Sequence, residues 1–401
     1  MKRREAGPAR LHVWGQRLSV ISPLHSQMKM MTPRERLLSA LNHREPDRVP
    51  IDIGGSFATG INVAAYEALK EHLGIQTETV VASRRSQIAE VEEEVRQRLG
   101  IDTYPLLPRA PEGAEITYPD GSYRDEWGVV RHKPEGGHYY VVEAPLAGEI
   151  SLADLDSFPW PDPDDPGYLR GLAEEAREVR QGIDYALILS LPVGFVHQSQ
   201  FMRGYEAWLI DLLLQPSLAE AIMDHVLETH LSVIRRMLDA VGDNIDVVLY
   251  ADDVGFQDQT MVSPELYRKF LKPRQARLFE FVKKHSEAKI LYHTCGAVYP
   301  LIGDFIDIGL DILNPIQTTA RGMDIQRLKE EFGQDLCFWG GIDVQQLLPR
   351  GSPVEVDAAT REIIACLGEG GGYVLSAANN IQADVPPQNI LAMVEAVISI
   401  A

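Results

Sequence analysis

A histidine and a cysteine stand two residues apart at the end of an apolar run. The run "ILYHTCG" (290–296) places His293 and Cys295 at its carboxyl end. Alternate residues of a β-strand point to the same side, so a strand here would aim an imidazole and a thiol at one point. Zinc binds histidine nitrogen at about 2.0–2.1 Å and thiolate sulfur at about 2.3 Å, so both groups could hold one ion. A reactive thiol and plain core packing are the alternative interpretations.

The other cysteines and most of the other histidines give weaker signals. Cys337 lies inside "LCFW" and Cys366 lies on the apolar stripe of "EIIACLG", and both are predicted to be buried structural thiols. Three cysteines cannot form a disulfide framework, which predicts reduced thiols and a cytoplasmic protein. Five histidines in helical or loop contexts are predicted to lie on the surface: His43, His138, His225, His230 and His285.

Eight short apolar runs alternate with stretches of helical periodicity. The runs are 48–55, 102–108, 185–194, 245–253, 289–296, 311–317, 336–343 and 372–379. Most are nearly continuous in apolar residues, which is typical of strands buried on both faces of a parallel sheet. Eight such strands alternating with helices predict an α/β fold, a (β/α)8 TIM barrel. A doubly wound open sheet is the alternative, but no G-x-G-x-x-G follows the first run.

The region after the second run breaks this alternation. Turn dipeptides at 120–121 and 136–137 separate runs rich in Tyr and Val, which predicts an antiparallel β-ribbon inserted after the second strand. This ribbon and a proline-rich connector are assigned to 109–165. Residues 31–401 are predicted to form a single barrel domain, and residues 1–30 a disordered extension. Thr32, Pro33 and Glu35 form a predicted helix start with a capping box.

The charge balance excludes some classes of partner. The chain has 38 basic and 58 acidic residues and a net charge of −20. Nucleic acid and anionic membranes need a basic face, so neither is expected as a partner. No run approaches the roughly 20 apolar residues that span a bilayer. A small-molecule substrate is the expected ligand.

Four long segments carry a more specific pattern. They are "YADDVGFQDQTMVSPELYRKFLKPR" (250–274), "HTCGAVYPLIGDFIDIGLDILNPIQ" (293–317), "CFWGGIDVQQLLPRGSP" (337–353) and "GGYVLSAANNIQADVPPQNILAMVEA" (371–396). With the opening "TPRERLLSALNHREPDRVPIDI" (32–53), they resemble the uroporphyrinogen decarboxylase superfamily from about residue 31 to the C-terminus. The resemblance implies a (β/α)8 barrel, in agreement with the count of apolar runs.

The superfamily contains two chemistries, and the sequence departs from the first. True decarboxylases act without a cofactor and carry an arginine-containing "RQAGRY"-type stretch after the first strand, where this chain has "GGSFATGI" (54–61). Their aspartate at the end of the second strand has no match in "DTYPLLP" (102–108). Their active-site tyrosine falls on Gln200, and their late histidine falls near Asn379.

The second chemistry is methyl transfer to or from corrinoid proteins. Those members bind zinc through a His-x-Cys pair and a later cysteine. The resemblance therefore implies that His293 and Cys295 are zinc ligands, but the later cysteine falls near Asn379. An amide oxygen is a poor substitute for thiolate on zinc. Asp252, at the end of the neighbouring run, is predicted to be the third ligand.

The predicted function is methyl transfer between a small substrate and a separate corrinoid protein at a zinc site. The predicted catalytic residues are Asp252, Asp253 and His293, and the predicted substrate-binding residues are His197, Gln200, Gln257 and Asn379. One alternative is a uroporphyrinogen decarboxylase, or a related metal-free decarboxylase of porphyrin biosynthesis. Another is a non-catalytic barrel that binds a corrinoid or a small molecule. Family members are often dimers, so the resemblance also implies a homodimer.

Overall fold

The computed structural model describes residues 30–400. Apart from Met30, the predicted extension 1–30 lies outside the described residues. In the described range the strands are β1 (Val81–Ser83), β2 (Ile88–Ala89), β3 (Thr103–Leu106), β4 (Ile116–Thr117), β5 (Tyr123–Arg124), β6 (Val130–His132), β7 (Tyr140–Glu143), β8 (Ala186–Ser190), β9 (Val247–Ala251), β10 (Lys289–His293), β11 (Ile312–Asn314), β12 (Cys337–Trp339) and β13 (Tyr373–Val374).

The α-helices of the same range surround the strands. They are α1 (Pro33–Leu41), α2 (Val63–Leu73), α3 (Glu93–Arg98), α4 (Leu152–Ser157), α5 (Leu172–Gln181), α6 (Phe195–Arg203), α7 (Tyr205–Leu214), α8 (Pro216–Val241), α9 (Pro264–Leu266), α10 (Lys272–His285), α11 (Ile302–Asp307), α12 (Ile325–Phe332), α13 (Leu347–Arg350), α14 (Pro353–Leu367) and α15 (Pro387–Ile398). A π-helical turn, Tyr267–Leu271, joins α9 to α10. None of the helices in residues 30–400 has the length and apolar character that crossing a membrane requires.

Seven strands form one parallel sheet in the order β13-β12-β11-β10-β9-β8-β3. They coincide with the last seven of the eight apolar runs. The fold is therefore α/β and TIM-like. The first run does not form a strand of its own and contributes an isolated parallel bridge, Ile51 with Leu375.

The segment around Ile51 contacts both edges of the parallel sheet. The Asp52 N–H donates to the Leu375 carbonyl at 2.9 Å, and the Asp102 N–H donates to the Ile51 carbonyl at 2.9 Å. Leu375 follows β13 and Asp102 precedes β3, so one short segment bonds next to both edge strands. The sheet must curl for this to happen, as the strands of a barrel do.

A separate antiparallel sheet lies between β3 and β8 in the chain. Its four strands run in the order β4-β5-β6-β7, and we call it the inserted sheet (116–143). Its strands are two to four residues long, and several of its side chains are exposed. The hairpin β1–β2 forms a second small antiparallel sheet.

Helix α1 begins as its sequence predicts. The Thr32 hydroxyl accepts the Glu35 N–H at 3.1 Å, and the Glu35 carboxylate accepts the Thr32 N–H at 2.9 Å. These reciprocal bonds satisfy two donors that a helix start leaves free.

Alternation along the strands separates an inner from an outer apolar cluster. Val247, Leu249 and Leu291 belong to a small cluster with Trp339, whereas Val248 and Tyr250 belong to the larger cluster with the helices. Since neighbouring residues of a strand face opposite sides, odd-numbered residues of β9 and β10 face inward. This parity determines which polar residues reach the interior where the strands end.

Candidate metal centre

Three side chains converge where β9 and β10 end. One potential ligand atom from each of Asp253, His293 and Cys295 lies within 4.8 Å of the other two. The residues continue the odd-numbered, inward-facing parity of Leu249 and Leu291. His293 and Cys295 therefore point to one place, as their spacing predicts.

The distance between the first two ligand atoms suits one metal ion. His293 Nε2 lies 3.5 Å from Cys295 Sγ. Ligands at about 2.05 and 2.3 Å from one tetrahedral ion would lie about 3.5 Å apart. The pair is therefore spaced for shared ligation without rearrangement of either side chain.

Asn314 determines which nitrogen of His293 is free to bind a metal. The Asn314 amide donates to the Trp339 carbonyl at 3.1 Å, so its oxygen faces His293 Nδ1, at 2.6 Å. His293 Nδ1 must then carry the hydrogen, which leaves the Nε2 lone pair directed at Cys295. Burial lowers the pKa of His293, which favours the neutral, metal-binding form.

Cys295 is held by its backbone and by its sulfur. Its N–H donates to Asp253 Oδ1 at 2.7 Å, and its Sγ accepts a hydrogen bond from Asn379 Nδ2 at 3.3 Å. Burial raises the pKa of the Cys295 thiol well above its usual value, so the metal-free site holds the thiol form. A cation beside the sulfur reverses this preference.

The structure favours Asp253 over Asp252 as the third ligand. Asp252 is fully buried and accepts the N–H groups of Val196 and His197 at 3.0 and 2.8 Å and the Tyr250 hydroxyl. These donors come from the first turn of α6 and from the outward-facing side of β9. Asp252 has the parity of Tyr250, so it points away from the interior, whereas Asp253 points into it.

Asp252 acts as the N-terminal cap of α6. The helix follows Gly194, which has no side chain to cap it. A Cβ on Gly194 would lie 2.1 Å from Asp252 Cγ, so the absence of a side chain at Gly194 makes room for the Asp252 carboxylate, which follows β9. An anion at a helix N-terminus is stabilised by the free N–H groups there.

The predicted substrate-binding residues lie at different distances from the centre. Asn379 contacts Cys295, and His197 Nε2 lies 3.8 Å from Asp253 Oδ2. Gln257 bonds with Gln317 at 3.0 Å, and Gln317 in turn accepts the Gly296 N–H at 2.8 Å. Gln257 thus supports the loop rather than the three ligand atoms.

Two other residues are buried. The Gln200 amide contacts the Met261 sulfur at 3.2 Å, and its role in substrate binding stays a prediction. His230, predicted to lie on the surface, is buried in α8 beside Trp127. Helical context alone does not reveal which face of α8 carries His230, although apolar residues at positions 226, 227, 233 and 234 share the buried side.

Comparison with known proteins places the chain in a family. The model of the family described as uroporphyrinogen decarboxylase (URO-D) matches residues 140–400. A uroporphyrinogen decarboxylase from Pseudoalteromonas atlantica is 23% identical over 257 residues, which are 62% of this chain and 68% of that protein. A methylated-thiol–coenzyme M methyltransferase from Methanosarcina mazei is 29% identical over 137 residues, which are 34% of each chain.

A solved structure shares the fold over almost its full length. The methyltransferase from Methanosarcina mazei superimposes with a TM-score of 0.67 at 21% identity and covers 92% of this chain and 99% of that one. The family model covers more than half of the chain, and the fold agrees with it. The chain belongs to the uroporphyrinogen decarboxylase family.

Proposed function

We propose that this protein is a methyltransferase that moves a methyl group between a small substrate and a corrinoid protein, at a zinc site formed by His293, Cys295 and Asp253. The observation that carries the proposal is the convergence of imidazole, thiol and carboxylate within 4.8 Å. The local likeness to a methylated-thiol–coenzyme M methyltransferase supports it.

The donor set fits a catalytic zinc ion. Three protein ligands with one open position are typical of such sites. A neutral imidazole, a thiolate and a carboxylate carry two negative charges, which match a divalent ion. When bound, zinc would supply Lewis acidity, either to an incoming thiol or to the substrate oxygen that bears the methyl group.

The surrounding residues orient the ligands. Asn314 holds the His293 ring and Asn379 donates to the Cys295 sulfur, and hydrogen bonds of this kind fix the orientation of metal ligands. The Asp253 carboxylate accepts the Cys295 N–H, which ties two ligands together. His197 lies between Asp252 and Asp253 and is a quarter exposed, so it can face a substrate.

The alternative, decarboxylation of uroporphyrinogen, is less well supported by the side chains. A substrate with many carboxylates needs several free cationic groups. Four arginines line a cavity between the inserted sheet and the parallel sheet, and three of them, Arg84, Arg109 and Arg131, are already paired with acids. The decarboxylase alternative predicts product formation from uroporphyrinogen without metal.

Metal analysis of the purified protein tests the proposal. We expect about one zinc per chain in the wild type and loss of that zinc in Cys295→Ala. Cys366→Ala is the matched control, because Cys366 is a partly buried thiol on α14 that is not part of the centre. Metal-free wild type that still turns over substrate would refute the zinc site.

An activity measurement separates the two chemistries. We expect the zinc-loaded protein to demethylate methylcobalamin in the presence of a thiol acceptor, seen as a change in the corrinoid absorption spectrum. Conversion of uroporphyrinogen by the metal-free protein would instead favour decarboxylation.

A further inference from the structure

A second feature lies between the inserted sheet and the parallel sheet. A cavity of 260 Å³ is lined by the β1–β2 turn, the inserted sheet, α6 and α8. Four arginines line it, and we call it the arginine cavity: Arg84, Arg85, Arg109 and Arg131. Aromatic side chains cover other parts of its wall: Phe57, Tyr123, Trp127 and Tyr168.

Three of the four arginines are already neutralised. Arg84 pairs with Glu115, Arg131 pairs with Asp125, and Arg109 pairs with Glu175 at 2.8 Å. Arg85 has no carboxylate partner within 4.0 Å among residues 30–400. Its guanidinium lies 5.8 Å from the centroid of the Phe201 ring, and the Arg131 guanidinium lies 4.9 Å from the same centroid.

Glu126 also lines the cavity and forms no ion pair among residues 30–400, but it offsets the charge of Arg85 only weakly. Burial raises the pKa of Glu126 to about 7, with repulsion from Asp125 as the second cause. Near neutral pH this carboxyl is partly protonated, so it leaves the Arg85 charge partly uncompensated. One free cation in a cavity with aromatic walls suits one anionic group on an apolar body.

Two buried polar atoms in the cavity wall have no protein partner. Gln198 and His230 are 2% and 3% exposed, and their Nε2 atoms make no hydrogen bond among residues 30–400. A buried polar group without a partner costs about 1–3 kcal/mol, so such groups are rare in native proteins. Both residues line the arginine cavity, so a ligand there that draws either side chain towards it would supply the missing partner.

The arginine cavity adjoins the metal centre through α6. Gln198 follows His197, whose ring stacks on Phe201 with centroids 5.9 Å apart. Phe201 also contacts Arg131 of the cavity. The stacked His197–Phe201 pair therefore contacts Asp253 of the centre through His197 and Arg131 of the cavity through Phe201.

We propose that the arginine cavity binds the carboxylate of a small, mainly aromatic or aliphatic substrate, through Arg85, Gln198 and His230. That the bound molecule is a substrate rests on the proposed function, whereas its binding to the cavity does not. Arg85 provides the charge, and the two Nε2 atoms provide donors to the carboxylate oxygens. The apolar body of the substrate then extends along the aromatic wall.

Calorimetric titration with benzoate tests the proposal, with benzamide as the uncharged analogue. We expect benzoate to bind the wild type at least about tenfold more tightly than benzamide. Arg85→Gln should weaken benzoate binding about tenfold or more, and Arg85→Lys should restore part of the loss because it keeps the charge. Gln198→Leu should weaken benzoate binding with Arg85 intact.

Arg124→Gln is the matched control, since Arg124 is an exposed arginine of β5 that does not line the arginine cavity. Equal binding of benzoate and benzamide, no benzoate binding, or equal effects of Arg85→Gln and Arg124→Gln would overturn the proposal. Thermal unfolding confirms that each variant is folded. Benzenesulfonate reports whether a tetrahedral anion is accepted; binding equal to that of benzoate would overturn the assignment to carboxylate.

Zinc content is measured in the same samples. If benzoate binds as expected in a zinc-free protein, the cavity proposal stands and the metal proposal fails. If zinc is present and benzoate does not bind, the reverse is true.

Discussion

At the scale of single residues, two adjacent aspartates have opposite roles. Asp252 is fully buried and accepts three protein donors, whereas the Asp253 side chain is 38% exposed and faces His293 and Cys295. The difference follows from strand parity alone. Of these two neighbouring carboxylates, Asp252 supports the fold and Asp253 is the candidate metal ligand.

Asparagine substitutions distinguish the two roles. Asp253→Asn should abolish most zinc binding and change the free energy of unfolding of the metal-free protein little. Asp252→Asn should lower that free energy by about 1–3 kcal/mol, because its amide would face the N–H groups of Val196 and His197 without accepting from both. Zinc analysis and denaturant unfolding of the metal-free variants measure the two effects. Zinc loss in Asp252→Asn with zinc retained in Asp253→Asn would reverse the assignment.

The sequence allowed the His293–Cys295 pair to be predicted because i, i+2 spacing has a direct meaning in a strand. The same parity, continued along β9, would also have favoured Asp253 over Asp252. Asn314 could not be given its role from sequence, since its contact with His293 depends on the register of β10 with β11. Contacts of Arg85 and His230 likewise depend on how the inserted sheet packs.

At the scale of elements, the loop after β10 depends on a close approach of two backbones. Gly296 has φ of +94°, and a Cβ there would lie 2.5 Å from the Phe256 carbonyl oxygen. A side chain at this position would meet both backbone strain and a clash. The loop that positions Cys295 therefore requires glycine.

Gly296→Ala should destabilise the fold by more than about 1 kcal/mol and reduce zinc binding, because the loop must move away from Phe256. Gly303→Ala is the control, since Gly303 lies in α11 with open space around its Cβ position. That substitution should be neutral or stabilising by up to about 1 kcal/mol. Thermal unfolding and zinc analysis of both variants check this, and equal behaviour would contradict it.

Glu126, which lies between β5 and β6 of the inserted sheet, should make the free energy of unfolding depend on pH. Burial raises the pKa of Glu126 to about 7, above the ordinary value of 4.5. A carboxyl with a raised pKa contributes stability that is present below pH 4.5 and is lost as the pH rises through about 7.

Glu126→Gln should therefore increase the free energy of unfolding at pH 8 by up to about 3 kcal/mol and raise the melting temperature at that pH. At pH 5 it should have little effect on either. Glu135→Gln is a control on the same sheet, since Glu135 is exposed. Melting curves at the two pH values measure the difference. A stabilisation that is equal at both pH values would contradict the titration argument.

At the scale of the whole molecule, the N-terminal segment connects both edges of the parallel sheet. Asp102 is fully buried, and its carboxylate accepts from Arg36 at 2.5 Å, Arg48 at 2.8 Å and the Ile51 N–H at 2.8 Å. Arg36 lies on α1, so one carboxylate joins the first helix, the first apolar run and the strand β3. The first apolar run was predicted to be a full strand, but its backbone pairs at only one bridge.

Asp102→Ala should destabilise the protein by about 3–5 kcal/mol, because it removes the only carboxylate partner of Arg48 among residues 30–400 and leaves the buried Arg36 with Asp47 alone. Asp357→Ala removes the partner of Arg361 in a half-exposed helical pair and should cost less than about 1 kcal/mol. Denaturant unfolding of both variants gives the comparison. Equal losses would show that the junction at Asp102 does not hold the sheet edges together.

The carboxylate of Asp253 also determines how strongly the centre prefers soft metals. With one sulfur, one nitrogen and one oxygen donor, the centre is borderline in character, whereas a second sulfur in place of the Asn379 amide would make it thiophilic. Copper(I) and cadmium therefore gain less from this arrangement than from a histidine with two cysteines. The zinc ion of the proposed function would therefore meet less competition from these two ions here than at a centre with two cysteines.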